Sequence, residues 1–334
     1  MQPLITSVPQ PEFPFRINHQ HQLLSMGSCF AEHIGKFLAR RKFEQVLNPF
    51  GVVYHPVVLA NLLEQLLEGG APETAALFEQ QELWRHYDFH SRFAHPKQEE
   101  TLALLRSQFE LGAARVRRLD FLILTLGTAY GYQLQSEAVY VNNCHKQPAA
   151  LFEKNLASVE EMVAALQRVL GKLKVVNPQL EVILTISPVR HLRDGLLENQ
   201  RSKARLLLAQ EQVCASLPFV HYFPAYEIVL DELRDYRFYT RDLLHTNELA
   251  VDIVTSRFAS ACFAEPTQEL ARKVEQLVRA SEHRQQHPGS KAAQQFVQHT
   301  LQKIEVLTQQ HPYLDFSEEV KRLSASINPG FPGA

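Results

Sequence analysis

The chain has 334 residues, 45% hydrophobic and 21% charged, the composition of a soluble globular protein long enough to bury a substantial core. Its formal net charge of −2 removes any global electrostatic case for nucleic acid or an acidic membrane surface. Four cysteines without CxxC pairing point to free thiols in a reducing compartment, and no apolar run approaches the ~18 residues of a membrane span.

Residues 1–20 are Pro-rich and read as an extended segment. They lack the basic region and apolar core of a signal peptide, so a cytoplasmic location is the default expectation. Four apolar runs then read as buried strands: LLSM (23–26), DFLILTL (120–126), LEVILTIS (180–187) and FVHYF (219–223). Helical periodicity fills roughly 29–42, 56–68, 97–118, 158–176 and 200–216, with a further helix at 247–262. Continuous apolar strands alternating with helices predict an α/β fold with a doubly wound parallel sheet covered on both faces. Ligands of such sheets bind beyond the carboxyl ends of the strands. After Cys262 two Gln-rich helices are expected at 266–284 and 291–309, broken at HPGS (287–290), with a short third near 317–325. This gives an extended segment (1–20), a catalytic domain (21–262) and a helical extension (263–334) that packs on the core or on a partner.

The strand ends carry the candidate chemistry. The first run ends in GSCFA (27–31), which puts Ser28 at a helix N-terminus, where free N–H groups and the helix dipole favour developing negative charge. Serine is also a leading N-cap residue, so the same position suits a nucleophile and a cap. Cys29 is a second nucleophile candidate, with His145 or His245 as its base, and otherwise a small buried side chain. In RDLLHTN (241–247) Asp242 and His245 are three apart, which on a helical turn puts both on one face. The carboxylate then fixes the imidazole tautomer and leaves the other nitrogen as a general base. NPFG (48–51) offers Gly51, TLGTAYGY (125–132) offers Thr128, NNCHK (142–146) offers Asn143 and Lys146, and SPVRHLRDG (187–195) offers Arg190 and His191. Each stretch also reads as an ordinary polar turn. His86 and His90 stand at i, i+4, a metal-pair spacing without the Glu of a zincin. No GxGxxG or P-loop string occurs, so nucleotide binding has no motif support.

GSCFA, NPFG, LGTAY, NNCHK, LTISPVRH and YFPAYEIVLDELRDYRFYTRDLLH occur in this order over about residues 20–262. In these strings the chain resembles the GSCFA domain family, which is similar to the SGNH (GDSL-like) hydrolases. The resemblance implies a three-layer α/β/α fold of flavodoxin-like type and an esterase, acyl hydrolase or acyltransferase activity. It implies Ser28 as nucleophile, His245 as base and Asp242 as its orienter. Gly51 would donate to the oxyanion. The third block reads Gly127-Thr128-Ala129 where an Asn is usual, so Thr128 or Asn143 would substitute. Gly-Ser-Cys also replaces the usual Gly-Asp-Ser of the first block. By their own chemistry, and not by the resemblance, Lys146, Arg190 and His191 are candidates to bind an anionic or hydroxyl-rich group of the substrate, a small-molecule or glycan ester. No metal or organic cofactor is called for. The remaining alternative is a degenerate hydrolase that binds a glycan or protein, with the C-terminal helices as contact surface for a partner or a second copy.

Overall fold

A computed structural model describes residues 6–283 and 290–327. Five parallel strands make the central sheet: β1 (Leu23–Gly27), β2 (Gln45–Leu47), β3 (Phe121–Leu126), β4 (Glu181–Ile186) and β5 (Val220–Phe223), in the order β2-β1-β3-β4-β5. Leu23 pairs with Gln45 on one side and Phe121 on the other, and Phe121 pairs with Glu181. Six helices accompany them: α1 (Cys29–Arg40), α2 (Pro56–Glu68), α3 (Gln98–Val116), α4 (Val159–Val176), α5 (Gly195–Ser216) and α6 (Glu248–Cys262).

Strand side chains alternate between faces, and here both faces are covered. Leu24, Met26, Leu122, Leu124, Val182 and Leu184 join a core completed by α2, α3, α4 and α5. Leu23, Phe121, Ile123 and Ile183 join a second core, completed by Phe30, Ile34 and Leu38 of α1 and by Val254 and Phe258 of α6. This explains why the strands read as unbroken apolar runs. The short β2 escaped the sequence reading: three residues carry no recognisable pattern, and its pairing with β1 defines it.

Helix ends follow local chemistry. Pro56 opens α2, where its missing N–H costs nothing, and Gly69 closes it at φ 91°. Helix α5 begins five residues earlier than its periodicity indicated, at Gly195.

Two small antiparallel sheets were not expected. Phe78–Gln80 pairs with Leu83–Arg85. Tyr130–Leu134 pairs with both Val139–Val141 and Phe152–Leu156. The stretch after β3 thus runs into the central strand of a three-stranded sheet, where the sequence also reads as an ordinary polar turn.

Residues 6–20 have no helix or strand, yet Phe13 and Ile17 are buried in the second core, and the Ile17 N–H donates to Cys262 O at 2.7 Å. The tail forms α7 (Glu265–Glu282), α8 (Lys291–Gln310) and α9 (Ser317–Ile327). Leu270, Val274, Leu277, Val297, Ile304 and Leu323 make a third core among them. Most of the break at 287–290 lies outside the described residues. The tail docks on the carboxyl end of α1: Arg40 bridges Glu282, Arg41 bridges Glu275, and Lys42 meets Glu319 at 2.7 Å. No helix among the described residues is long and apolar enough to cross a membrane.

Candidate active site

The sheet order reverses between β1 and β3, and the chain leaving both strands borders one cavity of about 400 Å³. Gly27 ends β1 at φ 139°, and a Cβ there would lie 2.2 Å from Thr125 O, so only glycine fits. Its N–H is held by Asn48 Oδ1 at 2.9 Å. The next N–H, of Ser28, donates to Thr125 O at 3.0 Å. Ser28 is fully buried and caps α1: Oγ accepts from the Phe30 N–H at 3.3 Å. It does not line the cavity. Cys29, the first residue of α1, does.

His245 borders the same cavity. Its Nδ1 lies 2.6 Å from Asp242 Oδ2. Asp242 Oδ1 accepts from Thr240 Oγ1 (2.6 Å), the Leu244 N–H (2.9 Å) and the His245 N–H (3.0 Å). The Thr240 hydroxyl, then these amides and the imidazole, hold the carboxyl far below the usual range. The pair sits on a tight loop and not on the helical turn expected from its spacing. Leu243 takes φ 61°, and Thr240 N–H closes the loop on His245 O at 2.8 Å. With Nδ1 on the carboxylate, Nε2 is the nitrogen left for chemistry.

Beneath the site lies Lys203, fully buried on α5, whose Nζ donates to Gly127 O (2.7 Å) and Ser187 O (2.6 Å) at the ends of β3 and β4. Burial pushes it down to about 7. Burial also pushes the Cys29 thiol up, against the pull of Lys203 and of the helix N–H groups. Lys203 was missed in the sequence, although the signal is there: it shares the buried stripe Asn199, Ser202, Leu206, Ala209 and Val213.

Thr128 lines the cavity, its Oγ1 2.9 Å from Ser202 Oγ. Arg190 and His191 line it too. The His191 ring meets Tyr54 edge-on at 5.3 Å, and its Nε2 is buried without a hydrogen-bond partner among the described residues. Burial, then Lys203 and His245, push His191 down to about 4. Tyr54 and His55, also on the wall, carried no sequence signal, because the small sheet that completes their surroundings was not foreseen.

The remaining candidates lie elsewhere. Gly51 does not border the cavity, and its N–H is committed to Asn48 O at 2.8 Å, which removes it as an oxyanion donor. Asn143 is held between Ser91 Oγ (3.2 Å) and the His145 N–H (2.8 Å), away from the cavity, while its neighbour Asn142 lines it. Lys146 is exposed and does not reach the cavity. His145 is buried with Nε2 2.9 Å from His86 O, so it is no partner for Cys29. His86 and His90 lie in turns and accept from the Asp88 and Arg92 N–H groups at 3.1 and 3.2 Å. No cluster of three or more His, Cys, Asp or Glu among the described residues could hold a metal ion.

The model of the GSCFA family matches residues 22–258, which contain β1 through most of α6. The chain belongs to the GSCFA family. A second model, GSCFA domain protein, C-terminal domain, matches residues 274–329 and thereby most of the helical tail. No curated protein matches the chain. Among solved structures, this GSCFA protein resembles one described as "a putative platelet activating factor from Streptococcus pneumonia", at 12% identity and a TM-score of 0.38, over 72% of this chain and 83% of that one.

Proposed function

We propose that this GSCFA protein is an SGNH-type acyl hydrolase or acyltransferase acting on a small-molecule or glycan ester. Its nucleophile is Cys29, with His245 as general base and Asp242 as the orienter of His245. The observation that carries this reading is that Cys29 and His245 border one cavity while Ser28 is a buried cap turned onto Phe30. The strand order β2-β1-β3-β4-β5 supports it, because this is the flavodoxin-like order with its ligand crevice beside the first strand. Read position by position, Gly-Ser-Cys also puts Cys29 where the Gly-Asp-Ser pattern has its serine.

Burial raises the Cys29 thiol, and the thiolate is the attacking species, so His245 Nε2 takes the proton as Sγ attacks the acyl carbonyl. The carbonyl π pair moves to oxygen. The Cys29 N–H, which has no intrahelical acceptor at this first helical position, and the Thr128 hydroxyl are the donors at hand for that oxyanion. His245 then protonates the leaving alcohol or thiol, and the acyl group stays on sulfur. Water completes a hydrolase cycle and a second nucleophile completes a transfer, each giving its proton to His245, which passes it to the Cys29 sulfur as the acyl C–S bond breaks. Arg190 and His191 contribute to recognition from the wall.

The test is acyl trapping with p-nitrophenyl acetate. Cys29→Ala and His245→Ala should each abolish acyl-enzyme formation, since such residues act as a unit, whereas Ser28→Ala should retain it. Trapping on Ser28 would return the nucleophile to the serine. A pure binding module would show no acyl adduct on either residue.

A further inference from the structure

We propose that Arg190 and Arg193 form an anion-recognition edge of the Cys29–His245 cavity, so that the acyl substrate carries a compact negative group, a carboxylate or a phosphate. This rests on the acyl-transfer reading of the cavity and names its substrate class.

The placement begins at the end of β4. Lys203 fixes Ser187 O, Val189 is buried, and the chain emerges at Arg190, whose N–H points at Leu244 O, at 3.5 Å, beside His245. Both arginines line the cavity. Arg41, Arg115 and Arg257 bridge Glu275, Glu44 and Glu232. The two at the cavity pair with no carboxylate among the described residues and rest on aromatic rings. The Arg190 guanidinium lies 5.0 Å from the Tyr239 ring centroid and donates to its hydroxyl at 3.4 Å. That of Arg193 lies 5.5 Å from the Tyr132 centroid. A ring orients a guanidinium without neutralising it.

The other charges of the wall cancel. Lys154 and Asp194 pair with each other. Nearby Glu198 is taken by Tyr130 and Arg201, both at 2.5 Å. The two arginines therefore carry the net charge of the lining, as planar forks suited to carboxylate or phosphate oxygens. His191, between them in sequence, has its buried Nε2 unpartnered among the described residues and adds a neutral polar group to the same wall.

The test uses paired thioesters followed by loss of thioester absorbance. Succinyl S-ethyl thioester against its methyl ester puts the charge on the acyl side. S-acetyl thioglycolate against its methyl ester puts it on the leaving side. The preferred charged member should exceed its masked partner in kcat/KM by about tenfold or more, the worth of one charge-assisted hydrogen bond. Which pair discriminates tells whether the anion belongs to the acyl or the leaving group. In the double variant Arg190→Gln, Arg193→Gln that preference should collapse, and salt should erode it in the wild type.

Alkylation of Cys29 by iodoacetamide separates the two readings, since it needs no turnover. Millimolar succinate or inorganic phosphate should slow it in the wild type and not in the double variant. Protection without turnover of any ester supports the anion edge and counts against acyl transfer. Equal turnover of charged and masked thioesters, with no protection by either anion, overturns the anion edge and leaves acyl transfer standing.

Discussion

At Ser28 a ψ of 176° turns the side chain back onto the helix it starts, and one residue later Cys29 faces the cavity. Successive helical residues point about 100° apart, so a single position separates the cap from the cavity-lining thiol. Lys203 belongs to the same scale. A buried ammonium held by two carbonyl oxygens is costly, and this one sits under the cavity floor. Its charge favours the thiolate, so Lys203→Met should slow Cys29 alkylation. Burial pushes the lysine down to about 7. It is charged below that pH and neutral above it, so the wild-type advantage over the variant should be largest below pH 7 and shrink above. A ratio of alkylation rates that does not change with pH would remove this electrostatic role.

At the scale of elements, the Asp242–His245 loop is a self-contained device. One carboxylate gathers a hydroxyl, two backbone N–H groups and the imidazole. Asp242→Asn weakens this gathering and replaces the acceptor that fixes the His245 tautomer. Acyl transfer should fall by a factor of up to about 10⁴, as for other triads that lose their carboxylate. A loss of under about threefold would separate Asp242 from the chemistry. The pair was legible from its spacing, but for another reason than the one that operates: a left-handed Leu243 closes a loop where a helical turn was expected. The long strands were legible because burial on both faces leaves an unbroken apolar run. Strand β2 and the sheet around Tyr130–Leu134 were not, since short or half-exposed strands are made by their partners. Gly51 was misread as a donor because a glycine of positive φ serves turns as readily as oxyanions. Its N–H belongs to the Asn48 turn, which holds Gly27 in place.

Across the whole molecule, the tail and the cavity occupy opposite ends of α1, about 16 Å apart at 1.5 Å per residue. Ion pairs from Arg40, Arg41 and Lys42 hold the tail helices, while Cys29 heads the cavity. Three buried histidines, His19, His55 and His145, and the half-buried His191 are each pushed down to about 4, chiefly by burial. The unfolded chain takes up these protons near 6.5. The folded state therefore binds fewer protons below that pH, and stability falls as pH drops from about 6.5 toward 4. Melting temperature should be highest above about pH 6.5 and decline through this window. His145→Gln should shallow the decline, and a wild-type melting temperature flat from pH 7 to 4 would contradict the linkage.

The most direct test of the central claim is the site of the covalent intermediate. The protein is mixed with p-nitrophenyl acetate, quenched in acid and mapped by peptide mass. The acetyl group should appear on the Cys29 sulfur in the wild type, on the same sulfur in Ser28→Ala, and nowhere in Cys29→Ala or His245→Ala. Acetyl on Ser28, or turnover that survives Cys29→Ala and dies with Ser28→Ala, would contradict it.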